Sequence, residues 1–137
     1  MPDEYVVDTD VVSYAFRGDS RAETFRPYFE GALLSISFMT LAELDQWTLL
    51  RNWGARRRAQ LDAFVARFTV IQPDRTLCRK WAEVCVQARR NGRPIHVADA
   101  WIAATALNLG IPLLTHNGDD YAGVMSLVVL PDTSGRP

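Results

Sequence analysis

YVVDTDVVSY, residues 5–14, joins two short apolar runs through a pair of aspartates. The first run, EYVVD, ends at Asp8 and suits a buried β-strand. The residues that follow suit a short helix over about residues 11–16, closed by Gly18. A strand that passes through an acid into a helix is the opening of an α/β unit. An ionised carboxylate flanked by valines is costly to bury unless its charge is compensated. Asp8 therefore calls for a metal ion, a phosphoryl intermediate, or helix-terminal amides.

The same alternation continues along the chain. SRAETFRPYFEG (20–31) is a helical candidate interrupted at Pro27, and ALLSIS (32–37) a strand. SFMTLAELDQWTLLRNWG (37–54) and ARRRAQLDAFVARF (55–68) have apolar residues at helical spacing. FTVIQP (68–73) is a strand stopped by Pro73, and TLCRKWAEVCVQARRNG (76–92) a helix ending at Gly92. PIHVADAWIAATALNLG predicts a helix from Pro94 to Gly110. IPLLTH and SLVVLP are the last strands, with NGDDYAG between them as a loop or short helical turn. Short strands alternating with helices predict one α/β domain over residues 1–137, three-layered, with a largely parallel central sheet. Sites in such sheets form outside the carboxyl ends of strands. That places Asp8 and THNGDD on one edge.

The chain has 137 residues, 48% of them hydrophobic, and a net charge of -1. No run of 18 apolar residues occurs, so no transmembrane helix is expected. The start, MPDEYVVD, lacks the basic region of a secretory signal, which makes the cytoplasm the default location. Bulk charge does not advertise nucleic-acid binding. The 15 basic residues are all Arg except Lys80, however, and they cluster in RNWGARRR (51–58) and ARRNGR (88–93). Arg suits bidentate phosphate recognition, although solvated helix faces explain such clusters equally well. Cys78 and Cys85 lie seven residues apart on one helix, about 10 Å along its axis, too far for a disulfide. The stripe Cys78, Trp81, Cys85, Ala88 predicts core thiols rather than metal ligands.

The acidic residues carry the chemistry. Asp8 can cap the helix after it, yet its apolar flanks and strand-end position point it into a cleft. Glu43 can close a capping box with Thr40. If Ser37 is the cap instead, Glu43 lies inside the helix, where it can reach the cleft of Asp8. Asp99 shares a helical face with Ile95, Ile102, Ala103 and Ala106, and an acid within an apolar face usually marks function. Its structural alternative is a favourable interaction with the helix dipole. The last cluster holds Thr115, His116, Asn117, Asp119 and Asp120, where Asn-Gly and paired Asp are also ordinary turn chemistry. A lone His116 makes zinc a poor fit. Carboxylates from distant segments, without paired Cys or His, form an oxygen-rich site for Mg²⁺ or Mn²⁺. Such ions bind phosphodiesters and activate water.

Taken together, YVVDTDVVSY, SISFMTLAEL, IHVADAWIAATAL and LLTHNGDDY resemble the PIN-domain ribonucleases, in particular the VapC-like toxins, over nearly the whole chain. The resemblance implies a PIN-like α/β/α fold and a Mg²⁺- or Mn²⁺-dependent endoribonuclease. It also implies a homodimer inhibited by a small antitoxin, with transfer or ribosomal RNA among the family's targets. Position by position, Asp8, Glu43 and Asp99 match the acidic, metal-holding triad, and Asn117 the fourth polar position. Thr115 matches the hydroxyl that supports the first Asp, Thr9 the residue after it, and Asp120 the acid before an aromatic, here Tyr121. Asp10 stands where Asn is frequent in the family, and is expected as a helix-start residue near the cleft rim.

Two rivals remain at this level. VVDTDVV also fits a haloacid-dehalogenase-like phosphatase with Asp8 as nucleophile and Asp10 as acid/base. That chemistry needs a lysine shortly before the later acidic motif, and Lys80 lies far upstream within an Arg-rich helix. It also leaves Glu43 and Asp99 without a role. The second rival is a catalytically silent PIN module that binds RNA or protein, against which three intact carboxylates argue.

Overall fold

The computed structural model describes residues 1–132. Within them, strands β1 (Glu4–Val7), β2 (Leu33–Ser37), β3 (Thr69–Ile71), β4 (Leu113–Leu114) and β5 (Val129–Leu130) form one sheet. The strand order is β3-β2-β1-β4-β5 and every pairing is parallel. The helices are α1 (Thr9–Arg17), α2 (Arg26–Phe29), α3 (Phe38–Leu50), α4 (Ala55–Val65), α5 (Arg75–Arg90) and α6 (Val97–Leu109). A 3₁₀ segment, Ser20–Phe25, precedes α2, and a second, Gly118–Tyr121, follows β4. The expected α/β architecture is the one adopted.

Period-2 alternation along the strands builds the two halves of the core. Val6 and Leu113 pack with Leu77, Val84, Ala103 and Ala106 from α5 and α6. Their neighbours Val7 and Leu114 turn to the opposite face, onto Val11 and Val12 of α1 and Leu61 and Val65 of α4. All four strand residues are fully buried. That explains why the strands read as continuous apolar runs: helices cover both faces.

Helix ends follow side-chain chemistry. Gly18 and Gly110 terminate α1 and α6 in the left-handed region, at φ 67° and 69°, where a Cβ would be strained. Helix α1 starts two residues before its apolar run because the Asp8 carboxylate accepts from the Thr9 N–H and caps it. Helix α6 starts at Val97 rather than at Pro94, since His96 is extended and its carbonyl accepts the first helical bond, from Ala100. Ile95 therefore precedes the helix and does not share a helical face with Asp99. Cys78 is exposed and Cys85 half-buried, so the core-thiol expectation is wrong for Cys78. The buried stripe of α5 runs through Leu77, Val84 and Ala88 instead.

Along the sheet the chain moves outward from β1 to β2 and β3, then returns to β4 on the other side of β1. Strand order thus reverses between β1 and β4, and their carboxyl ends splay their connections apart. No helix among the described residues is long and apolar enough to cross a membrane.

Candidate active site

The crevice at this switch point is a cavity of about 410 Å³. Asp8, Asp10, Glu43, Asp99, Asn117 and Asp120 all line it. Four separate segments thus deliver carboxylates to one volume.

Asp8, at the end of β1, is 6% exposed. Its Oδ1 accepts from the Thr9 N–H at 2.7 Å, while Oδ2 accepts from the hydroxyls of Thr115 and Tyr121, each at 2.8 Å. The cap and the cleft-lining acid, alternatives at the level of sequence, are the same residue: Asp8 caps α1 and also lines the cavity. Burial and the neighbouring charges of Asp10 and Asp99 push its pKa up to about 7, against the hydrogen bonds that favour the anion.

Glu43 is carried by α3, whose N-terminus is capped by Ser37: its Oγ accepts from the Met39 N–H at 3.0 Å. The capping box through Thr40 does not form. Thr40 Oγ1 lies 3.0 Å from Thr9 Oγ1, and the Thr9 hydroxyl donates to Glu43 Oε1 at 2.7 Å. Thr9 therefore sets the orientation of Glu43 across the α1–α3 gap.

Asp99 occupies the first turn of α6, where the helix dipole favours an anion. Its pKa is nonetheless raised to about 6, first by burial and then by the charges of Asp120 and Glu43. Burial and repulsion outweigh the dipole. The Tyr121 hydroxyl also lies 3.5 Å from Asp99 Oδ1, so one buried phenol bridges the first and third acids.

Asp10, expected at the rim, is half-buried within the cavity wall. Its Oδ2 accepts from the Asn117 side-chain amide at 2.7 Å and the His116 N–H at 3.2 Å, fastening α1 to the segment after β4. The Asn117 N–H donates to Thr115 Oγ1 at 3.1 Å. Asn117 and Asp120 are exposed at the mouth. His116 packs edge-on against Tyr14, with ring centroids 5.4 Å apart. Lys80 pairs with Glu83 on α5 at 3.2 Å and is not among the residues lining the cavity, which removes the cation that the phosphatase alternative needs.

Sequence reasoning missed three contributors. The Tyr121 hydroxyl could have been flagged, because a buried phenol needs a partner. Arg17 and Trp47 also line the cavity, and neither lies in a sequence cluster. Of the expected Arg clusters, only Arg51 reaches it; Arg89 and Arg90, in the last turn of α5, do not line it.

The donor set suits a hard cation, being oxygen throughout. Among the described residues no Arg or Lys forms an ion pair with Asp8, Glu43, Asp99 or Asp120. Their mutual repulsion is left for another positive charge to relieve. Nor, among those residues, do three carboxylates, imidazoles or thiolates converge into a ready-made metal cage. A cation that keeps several waters, as Mg²⁺ does, matches such an open set better than one demanding a full protein shell.

The sequence profile of the PIN domain matches residues 5–124. Ribonuclease VapC1 of Haemophilus influenzae strain R2866 is 29% identical over 126 residues, covering 90% of this chain and 93% of that protein. VapBC-5 of Mycobacterium tuberculosis, from the VapBC family of toxin–antitoxin systems, is similar in structure. Its TM-score is 0.66 at 27% identity, with 93% of this chain and 96% of that one covered. The fold is also that of a chain in VapBC2 from Rickettsia felis, bound to a DNA fragment from their promoter. There the TM-score is 0.80 at 22% identity, over 92% of this chain and 96% of the other.

Proposed function

This chain belongs to the PIN-domain family, and from that premise we propose that it is a metal-dependent endoribonuclease that cuts RNA at the carboxylate cavity. We read it as the toxin of a toxin–antitoxin pair. The ribonuclease activity named for its Haemophilus relative and the toxin–antitoxin membership of its mycobacterial neighbour support that assignment. One observation carries the site: Asp8, Glu43, Asp99 and Asp120 share a cavity in which, among the described residues, no basic side chain is paired with them.

Asp8 and Asp99, with Glu43 beside them, would hold Mg²⁺ or Mn²⁺. Such an ion supplies charge neutralisation at the phosphodiester and a more acidic water. The chain's own groups do the rest. Thr115, Tyr121 and the Thr9 amide fix Asp8 in one rotamer through three donors. Glu43, steadied by Thr9, orients the attacking water or takes its proton as the new P–O bond forms and the leaving oxygen departs. Asp10 and Asn117 hold the segment after β4 against α1, and Asp120 completes the acidic mouth.

The test incubates the purified protein with total RNA, with Mg²⁺ and then with EDTA, beside a phosphatase assay. Cleavage is expected only with the metal. Asp8→Asn and Asp99→Asn should each lower the rate by about 100-fold or more, bind Mn²⁺ more weakly and keep the fold. EDTA-resistant cutting, or full cutting by Asp8→Asn at limiting Mg²⁺, overturns the mechanism. Phosphatase turnover without RNA cleavage overturns the function.

A further inference from the structure

Polyanionic RNA must approach a pocket whose inner wall is anionic, on a protein of net charge -1. Cations within the same cavity decide whether it can. Among the described residues two line it, Arg17 and Arg51, and both lie against one ring. Arg17 Cζ is 5.5 Å and Arg51 Cζ 5.7 Å from the centroid of Trp47. Glu43 and Trp47 on α3 and Arg51 at its C-cap are spaced four residues apart, and the Arg51 N–H still donates to the Trp47 carbonyl, so the three rise along one face. Arg51 lies about 12 Å from Glu43 along the axis, at 1.5 Å per residue. On the facing helix, Asp10, Ser13, Tyr14 and Arg17 form the matching row. The crevice between α1 and α3 thus changes sign along its length, acidic at the sheet and basic at its outer end.

We propose that Arg17 and Arg51, held on the ring of Trp47, form a phosphate clamp that grips the RNA backbone beside the phosphodiester being cut. The proposal rests on the ribonuclease reading above and deepens it. Stacking on an aromatic face orients a guanidinium while leaving its N–H fork in the plane free for phosphate oxygens. Trp47 is itself braced by Trp53, with ring centroids 4.7 Å apart, so the platform is rigid. Arg51 has no ion-pair partner among the described residues; Arg17 has a long one, Asp19 at 3.8 Å. Trp47 and its two guanidiniums are therefore positioning residues for the adjoining phosphate.

The probe is a short fluorescein-labelled single-stranded oligoribonucleotide, titrated with the full chain in EDTA across a range of salt. Arg17→Ala and Arg51→Ala should each reduce the slope of log affinity against log salt by about 0.7, the value for one lost single-strand phosphate contact. With Mg²⁺ present, KM should rise about tenfold or more while kcat changes by less than about twofold. Trp47→Leu should weaken RNA binding and Trp47→Phe largely restore it, because the ring and not the bulk holds the guanidiniums. Mn²⁺ affinity should be unchanged in all four variants, a result that a general loss of structure would not produce. If Arg51→Ala and the double Arg17/Arg51→Ala variant keep the wild-type salt slope while the wild type cuts RNA, the clamp is rejected and the nuclease stands. If the wild type neither binds nor cuts RNA, both fall.

Discussion

Asp8 accepts three neutral hydrogen bonds, yet its carboxyl is pushed up to about 7, because two neighbouring acids and near-complete burial oppose the charge. Each donor therefore shifts the balance measurably. Tyr121→Phe removes one of them and leaves the ring to pack. The anion loses a donor, so the pKa rises further, and the acid limb of log kcat/KM against pH should move upward by roughly 0.5–1 unit, the equivalent of a hydrogen bond worth about 1 kcal/mol. An unmoved limb would show that the phenol contributes packing alone. At this scale the sequence was informative about acids and poor about their partners. Asp8, Glu43 and Asp99 stand out because charges interrupt apolar runs. The Thr9–Glu43 bond spans 34 residues and the Tyr121–Asp8 bond 113, separations that no local pattern encodes.

Helix α5 and the segment after Tyr121 meet at Gly123, where the absence of a side chain permits close approach. A Cβ there would lie 2.5 Å from the Arg93 carbonyl oxygen and 3.1 Å from Ala88 Cα. The Asn91 side-chain amide donates to the Gly123 carbonyl at 2.8 Å, tying the two backbones together. Gly123→Ala must push backbone against backbone and should cost about 1–3 kcal/mol in urea unfolding. Because Tyr121 is two residues away, RNA cleavage should fall as well; unchanged stability would mean that the two segments separate freely. Among elements, the strands and the long helices were legible from apolar runs and helical spacing, and the ends at Gly18 and Gly110 from their glycines, but the helix starts were not. Pro94 looked like a helix start, yet the extended His96 places the first turn at Val97. That shift moves Asp99 from the second turn into the first, where its charge meets the dipole more directly. Capping depends on backbone angles, and periodicity carries no information about them.

Across the whole molecule, the site opposes the fold. The carboxyls of Asp8 and Asp99 are raised to about 7 and about 6, so the native state holds protons that the unfolded chain has released. Their contribution to stability is fully present below about pH 4 and is lost as pH rises through 6 and 7. In EDTA, Tm should therefore decline across that window by roughly 5 °C or more. Saturating Mg²⁺ or Mn²⁺ should recover the loss at pH 7–8, and Asp8→Asn should flatten the decline. A Tm in EDTA that rises from pH 5 to 7, with no flattening in Asp8→Asn, rejects the repulsion assigned to this cluster. The same conflict explains the layout: a site that destabilises its own scaffold sits at a switch point where two apolar layers are complete on either side.

The sequence by itself determined the alternation of strands and helices, the layered parallel sheet, and which acids interrupt apolar surroundings. These are local properties, set by side-chain period and by the cost of placing charge among valines. Only the tertiary structure decided that β1 and β4 lie side by side, that Thr115 and Tyr121 reach back to Asp8, and that Arg17 and Arg51 converge on Trp47. The order in which parallel strands assemble is fixed by packing both faces of the sheet at once. That packing brings together side chains more than a hundred residues apart in the chain.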